Sequence, residues 1–193
     1  FLELTRPIIF DIAREDLLNE IQIMKGKIET NLKQKKSKGW GEVKTGKGSI
    51  RDVEFLTQFY QLVHGKSHPE IQSRNTLDGL ARLRAAGILS ADDYRILSEG
   101  YIFLRSVEHH LQVMQYQQTH QMPEDKRELT FLARRLSFHG ENVNEQLLER
   151  YHEHSRAIRS VYDAHINNPE GIKSRFEPSA FSNQPNLPLQ SSD

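Results

Sequence analysis

The sequence predicts an all-α protein, a helical bundle of about six helices with long central helices and a disordered or extended C-terminal tail. Three observations carry this. Apolar residues recur at steps of three and four along most of the chain. Ser, Thr, Gly and Pro stand where helices would start and stop. No segment alternates apolar and polar residues convincingly, and no repeat is visible.

The first helix is expected from about Asp11 to Gln34, with Leu17, Ile21, Met24, Ile28 and Leu32 along one face. The run KQKKSKGWG (33–41) and the breaker TGKGS (45–49) interrupt it, and EVK between them suits a short extended piece. Ser49 opens the next helix, with Asp52 at its third position, a pattern that resembles a capping box. Ile50, Val53, Leu56, Tyr60 and Val63 form its stripe, widened by Phe55, Phe59 and Leu62, so this helix is expected at the centre. Thr76 caps a short helix closed by Gly87. Ser90 with Asp93 starts a long one, whose seam runs Tyr94, Leu97, Tyr101, Leu104, Glu108, Leu111 and whose limit is Pro123. Leu129, Leu132, Ala133 and Leu136 mark a further short helix. Leu147, Tyr151, Ile158, Val161 and Tyr162 mark a last long one, ending before Pro169. The resulting organisation is an N-terminal helix in 1–34, a helical bundle in 35–168 and a Pro-, Ser- and Asn-rich linker or tail in 169–193.

The 193 residues carry 26 Lys+Arg and 26 Asp+Glu, a formal net charge of zero that argues against a general nucleic-acid binder. Any phosphate binding must come from a local cluster. With no cysteine, the chain has no disulfide, no thiol nucleophile and no cysteine-based zinc site. No run of about 18 apolar residues exists, so no membrane span is expected. The start FLELTRPIIF lacks a basic segment followed by a long apolar stretch and does not read as a signal peptide. The absence of an initial Met fits a piece of something longer.

The sharpest local feature is EVKTGKGSIRDVEF (42–55). A Gly-rich stretch with Lys44 and Lys47 runs into a helix start with Arg51 in its first turn. A helix N-terminus offers free N–H groups and the positive end of the dipole, which favour an anion such as phosphate. Two lysines and an arginine would add charge-assisted hydrogen bonds. The plainer reading is a solvated basic turn in which Asp52 only caps.

Two look-alikes fail. A P-loop needs Lys followed by Ser or Thr, but Gly48 follows Lys47. GSIRDVE offers Gly-Ser and two acids, but catalytic carboxylates that share metal ions sit on a strand, where alternate residues share a face. On a helix Asp52 and Glu54 diverge by about 200°. The nine histidines give no metal site: His64 and His68 straddle Gly65, while the pairs His109/His110 and His152/His154 each point apart. In EHHLQVMQYQQTHQMP (108–123), Glu108, His109 and Gln112 suit a polar network or an ordinary exposed face, and Arg105 is placed to pair with Glu108.

Four segments taken together are more specific: MKGKI (24–28), VKTGKGSIRDVEFLTQFYQLVHG (43–65), YIFLRSVEHHLQ (101–112) and QQTHQMP (117–123). In this order and spacing they resemble glutamine synthetase adenylyltransferase, over roughly residues 1–168. The resemblance implies a helical domain beside a nucleotidyltransferase domain, in a cytoplasmic protein with two such units in tandem. One unit attaches AMP from ATP to a tyrosine of glutamine synthetase, and the other removes it by phosphorolysis, releasing ADP. The IRD and QTH forms look like the first, adenylyl-removing unit.

The implied cofactors are Mg²⁺ and ATP or ADP, and the implied partners are glutamine synthetase, a PII-type signalling protein and the upstream catalytic domain. The catalytic Gly-Ser and paired acids would lie upstream of Phe1, leaving this stretch inactive alone. By motif position, Lys44, Gly46, Lys47, Gly48, Arg51, Asp52 and Glu54 are the expected residues at the seam with the catalytic domain, near the nucleotide phosphates. Ser49 replaces the more usual second Gly, and its Cβ narrows backbone approach to a ligand. Two other readings stand beside this one: a non-catalytic module that docks glutamine synthetase or the signalling protein, and the related uridylyltransferase family, against which QTH-x-MP and EFLTQFYQL argue.

Overall fold

Apolar seams on successive helices can be buried only against one another. In the computed structural model, which describes residues 14–34, 41–115 and 120–167, they do so in six α-helices. These are α1 (Arg14–Gln34), α2 (Ile50–His64), α3 (Thr76–Ala85), α4 (Ala91–Gln115), α5 (Lys126–Arg135) and α6 (Val143–Tyr162). A 3₁₀ turn at Pro69–Ile71 precedes α3, and a π-helical turn at Asp163–Asn167 extends α6. The expected tail 169–193, and the residues 117–119 of the QQTHQMP segment, lie outside the described residues.

Helix α2 is the axis of the bundle and packs on α1, α3, α4 and α6. Its Ile50, Val53, Leu56, Phe59 and Tyr60 are buried, joined by Leu97, Leu104, Val107 and Leu111 of α4 and by Leu147, Ile158 and Val161 of α6. The longest contact is between α4 and α6. Gly100 permits it, because a Cβ there would press on the Ile158 side chain.

Three expectations need correction. The buried line of α1 runs Leu17, Ile21, Lys25, not through Met24, which is 47% exposed. The side chains of Ile28 and Leu32 lie outside what is described. A strict four-residue step keeps Lys25 on the seam, and a buried carboxylate on α2 receives its charge. Second, α3 is capped by Asn75, whose side chain accepts from the Asp78 N–H at 3.1 Å; Thr76 is the first helical residue instead. Third, Ser49 is the N-cap residue of α2, yet its hydroxyl makes no capping bond. At Ser90 the expected pattern forms: the Asp93 N–H donates to Ser90 Oγ at 3.0 Å, and the hydroxyl donates to Asp93 Oδ2 at 2.7 Å.

Of the expected extended piece EVK, only Glu42 is in a bridge, and Val43 and Lys44 already belong to the turn. Glu42 pairs with Gln121 in an isolated antiparallel bridge. Val43 N–H donates to His120 O, and Met122 N–H to Gly41 O, each at 2.8 Å. Gly41 has a φ of +76°, and a Cβ on it would crowd Met122. This clamp sets the end of the QQTHQMP segment against the start of the Gly-rich turn.

Candidate functional site

The turn from Gly41 to Ser49 is built from its own polar groups. Glu42 Oε1 accepts from the N–H groups of Lys44 and Thr45 at 3.1 and 3.3 Å. The Ile50 N–H donates to Val43 O at 3.1 Å and the Arg51 N–H to Lys44 O at 3.0 Å, while the Asp52 N–H reaches Ser49 O at 3.1 Å. The helix N-terminus therefore has its first amides engaged inside the protein, and the free N–H groups expected from the sequence are not on offer. Side chains are what the turn can present to an anion.

Gly48 fixes the path. Its φ is +65°, and a Cβ there would overlap the Ser155 carbonyl of α6. Ser155 Oγ in turn donates to Lys47 O at 2.8 Å, so α6 forms the back wall of the turn. Only glycine allows both the left-handed backbone and this approach. Gly46 is buried as well, and a Cβ on it would meet Glu42 O.

Asp52 is fully buried and holds the turn from inside. Its Oδ2 accepts from the Gly48 N–H at 2.7 Å, one residue further out than a capping box would reach. Lys25 of α1 forms an ion pair with its other oxygen and donates to Gly46 O at 3.1 Å. Arg159 Nη1 stands 3.9 Å from Oδ2. Burial pushes the Asp52 carboxyl above the ordinary aspartate value, and Lys25, the Gly48 amide and Arg159 pull it back down.

Glu54 leaves the helix in another direction and is half-buried, accepting from the Tyr101 hydroxyl at 3.4 Å. The two acids thus serve different neighbours, as the helical spacing requires. The described residues hold no group of three or more His, Asp or Glu placed to bind a metal ion.

The cations face outward to different degrees. Lys44 Nζ stands 3.3 Å from Glu108 Oε1 with a third of its side chain exposed. Glu108 is buried and also pairs with Arg105 and, at 3.1 Å, with His120 Nδ1. Lys47 is exposed. Arg51 is half-buried, lies over the Phe55 ring at 5.6 Å, and its Nε has no hydrogen-bond partner among the described residues. Its backbone bond to Lys44 means that both cations spring from one point of the turn.

Sequence reasoning included Lys25 only as part of a motif. Its place on the apolar step Leu17–Ile21–Lys25 was the usable sign. A second buried polar chain went unforeseen: the Tyr60 hydroxyl bonds His165 Nδ1, and His165 Nε2 reaches Asp93 Oδ2 at 3.2 Å. It ties α2, α4 and the π-helical turn together. Partners 105 and 72 residues away leave no local pattern.

Comparison with known proteins gives this geometry a family. The model for GlnD PII-uridylyltransferase matches residues 22–166. The chain is 34% identical over 159 residues to a bifunctional glutamine synthetase adenylyltransferase/adenylyl-removing enzyme of Streptomyces coelicolor, covering 82% of this chain and 16% of that protein. A protein of the same name from Acinetobacter baylyi is 32% identical over 181 residues, covering 91% and 19%, and one from Mycobacterium avium is 37% identical over 137 residues, covering 69% and 14%. The chain therefore spans less than a fifth of the length of these curated relatives. On the family-model match, which runs through the Lys25–Asp52 core and the Gly-rich turn, the chain belongs to the GlnD PII-uridylyltransferase family.

Proposed function

We propose that this chain is the helical domain of a bifunctional enzyme that attaches AMP to glutamine synthetase and removes it, and that it follows the first, adenylyl-removing catalytic unit. The catalytic carboxylates belong to the nucleotidyltransferase unit upstream. This domain contributes the Lys44–Glu54 turn to the seam between the two. Alone it transfers nothing.

One observation carries the turn's role. Asp52 faces inward to Lys25 and Gly48, while from the same short stretch Lys47 is exposed, Lys44 stands part-exposed beside Glu108, and Arg51 keeps a buried Nε without a hydrogen-bond partner among the described residues. A nucleotide phosphate is the partner that such cations suit, and a planar guanidinium suits it best. With the amides already engaged, contact runs through side chains. The Cβ of Ser49 then costs little, since no backbone approach at that position is needed.

Magnesium does not fit on these residues. Asp52 is committed to Lys25, Glu54 to Tyr101, and Glu108 to Lys44, Arg105 and His120. The ion that serves ATP or ADP is held by the catalytic unit, and no step here runs through it. Glutamine synthetase is the proposed substrate protein, a PII-type protein the proposed regulator, and the cytoplasm the proposed location. No helix among the described residues is long and apolar enough to cross a membrane.

The test uses the longer protein that contains this chain. With ATP and glutamine synthetase it should transfer labelled AMP, and with phosphate it should release ADP from the modified enzyme. The 193-residue chain should do neither. Background rates from the longer protein in both directions would overturn the reading.

A further inference from the structure

Between α4, α5 and α6 lies a groove of about 700 Å³, walled by Phe103, His110, Arg135, Phe138, Arg150 and His154. A second, of about 510 Å³, runs along the other flank of α4 to Thr76, Tyr101 and Arg105. The two share Ile102, Ser106 and His110, so they form one trough that crosses α4 at Ile102, whose side chain is 53% exposed.

The charge in this trough is unbalanced. It holds Arg105, Arg135 and Arg150 against a single acid, Glu99, and Glu99 pairs with Arg95 at 3.6 Å. Neither Arg135 nor Arg150 has a carboxylate at ion-pair distance among the described residues. Arg135 instead donates to His110 Nδ1 at 3.4 Å and lies over the Phe131 ring, itself 51% exposed. His154 packs against Phe103 with ring centroids 4.9 Å apart. Burial, with Arg135 and His109, holds His110 below the ordinary histidine value, and burial with Arg150 does the same for His154. Arg105 is already paired with Glu108, but Arg135 and Arg150 stand ready for carboxylates, which guanidinium groups bind through two parallel hydrogen bonds.

Shape and charge choose the occupant. A trough that passes over a ridge fits an extended segment better than a compact small molecule. Three arginines in a chain of zero net charge are too few for a nucleic acid, whose binding needs a wide basic surface. Exposed Ile102, at the crossing of the two grooves, asks for an apolar anchor in the ligand. We propose that this trough docks a segment of a partner protein in which acidic residues flank an aliphatic or aromatic one.

Its position adds a consequence. Arg105 lines the trough and pairs with Glu108, which holds Lys44. Tyr101 lines it and donates to Glu54. A carboxylate docked at that end competes with Glu108 for Arg105, one side chain away from the Gly-rich turn. The docking itself stands independently of the nucleotide reading.

The test is a selection of short random peptides displayed on phage against the 193-residue chain. Enriched peptides should carry an acidic excess around an apolar residue, and synthetic copies should bind less tightly as NaCl is added. The double variant Arg135→Glu/Arg150→Glu should weaken them at least roughly tenfold. Arg84→Glu, outside the trough, should leave them unchanged, and Arg135→Lys/Arg150→Lys should retain part of the affinity. All three variants are on exposed residues, and matching circular dichroism verifies their fold. No enrichment, enrichment without acidic excess, or equal binding to the Arg135→Glu/Arg150→Glu variant would overturn the proposal.

Discussion

Lys25 of α1 and Asp52 of α2 form an ion pair with side-chain exposures of 5% and 0%. Few pairs are so fully withdrawn from water, and such a pair is held by its geometry or not at all. Its geometry includes the Gly46 carbonyl and the Gly48 amide, so the pair also fixes the Gly-rich turn.

Lys25→Met should therefore destabilise the chain by about 3–5 kcal/mol at neutral pH, because it strands a buried carboxylate. Adding Asp52→Asn should recover part of the loss. The sign with pH is fixed as well. Without Lys25, burial of Asp52 is opposed only by the Gly48 amide and Arg159, and it holds the folded value further above the unfolded one. A raised carboxyl favours folding at low pH, so the deficit of Lys25→Met should shrink as pH falls through the raised value. Urea denaturation of the three chains at several pH values measures this.

Two glycines with similar backbone should behave differently. Gly48 (φ +65°) faces the Ser155 carbonyl, whereas Gly87 (φ +72°) has open space around the place of a Cβ. Gly87→Ala should cost about 1–2 kcal/mol, the left-handed penalty alone. Gly48→Ala should cost clearly more, because α6 must move. Thermal unfolding of both variants separates the two terms.

Tyr151 gives an alkaline signature. Burial, with Glu42 nearby, pushes its hydroxyl up to about 12 from 10.0. The unfolded chain releases this proton near pH 10 and the folded chain only near 12. The raised value contributes stability below pH 10 that is lost as pH rises through this window, a term of about 3 kcal/mol. Tyr151→Phe should flatten the fall in stability between those pH values, as followed by denaturant titration.

The Tyr60–His165–Asp93 chain fastens the π-helical turn to the core. Tyr60→Phe leaves His165 Nδ1 buried without that partner and should cost about 1–3 kcal/mol. Hydrogen exchange should speed up at 163–167 more than in α5. Uniform change across both regions would count against the fastening role.

Much of the fold was legible because its cause is local. The steps Ile50–Val53–Leu56–Tyr60 and Leu97–Leu104–Leu111 name their own buried faces. Gly87 and the Ser90–Asp93 pair mark their own boundaries. The turn at 41–49 was legible as a place but not as a mechanism. Its amides are engaged by Glu42, by Asp52 and by the carbonyls of Val43 and Lys44, and that engagement follows from the path the chain takes between Gly41 and Gly48. Lys25 was hidden for a different reason. A lysine on an apolar seam reads as an exception until the carboxylate opposite it is known, and that carboxylate lies 27 positions away (52 minus 25).

Arg51 concentrates the functional account. Arg51 is half-buried, its buried Nε has no hydrogen-bond partner among the described residues, and its backbone sits beside that of Lys44. The decisive measurement is Arg51→Ala in the longer protein, with circular dichroism and thermal unfolding matched to the parent. Phosphate-dependent removal of AMP from glutamine synthetase should fall roughly ten- to a hundredfold, the worth of one charge-assisted contact to a phosphate. Unchanged rates of AMP removal and attachment in that folded variant would contradict the account.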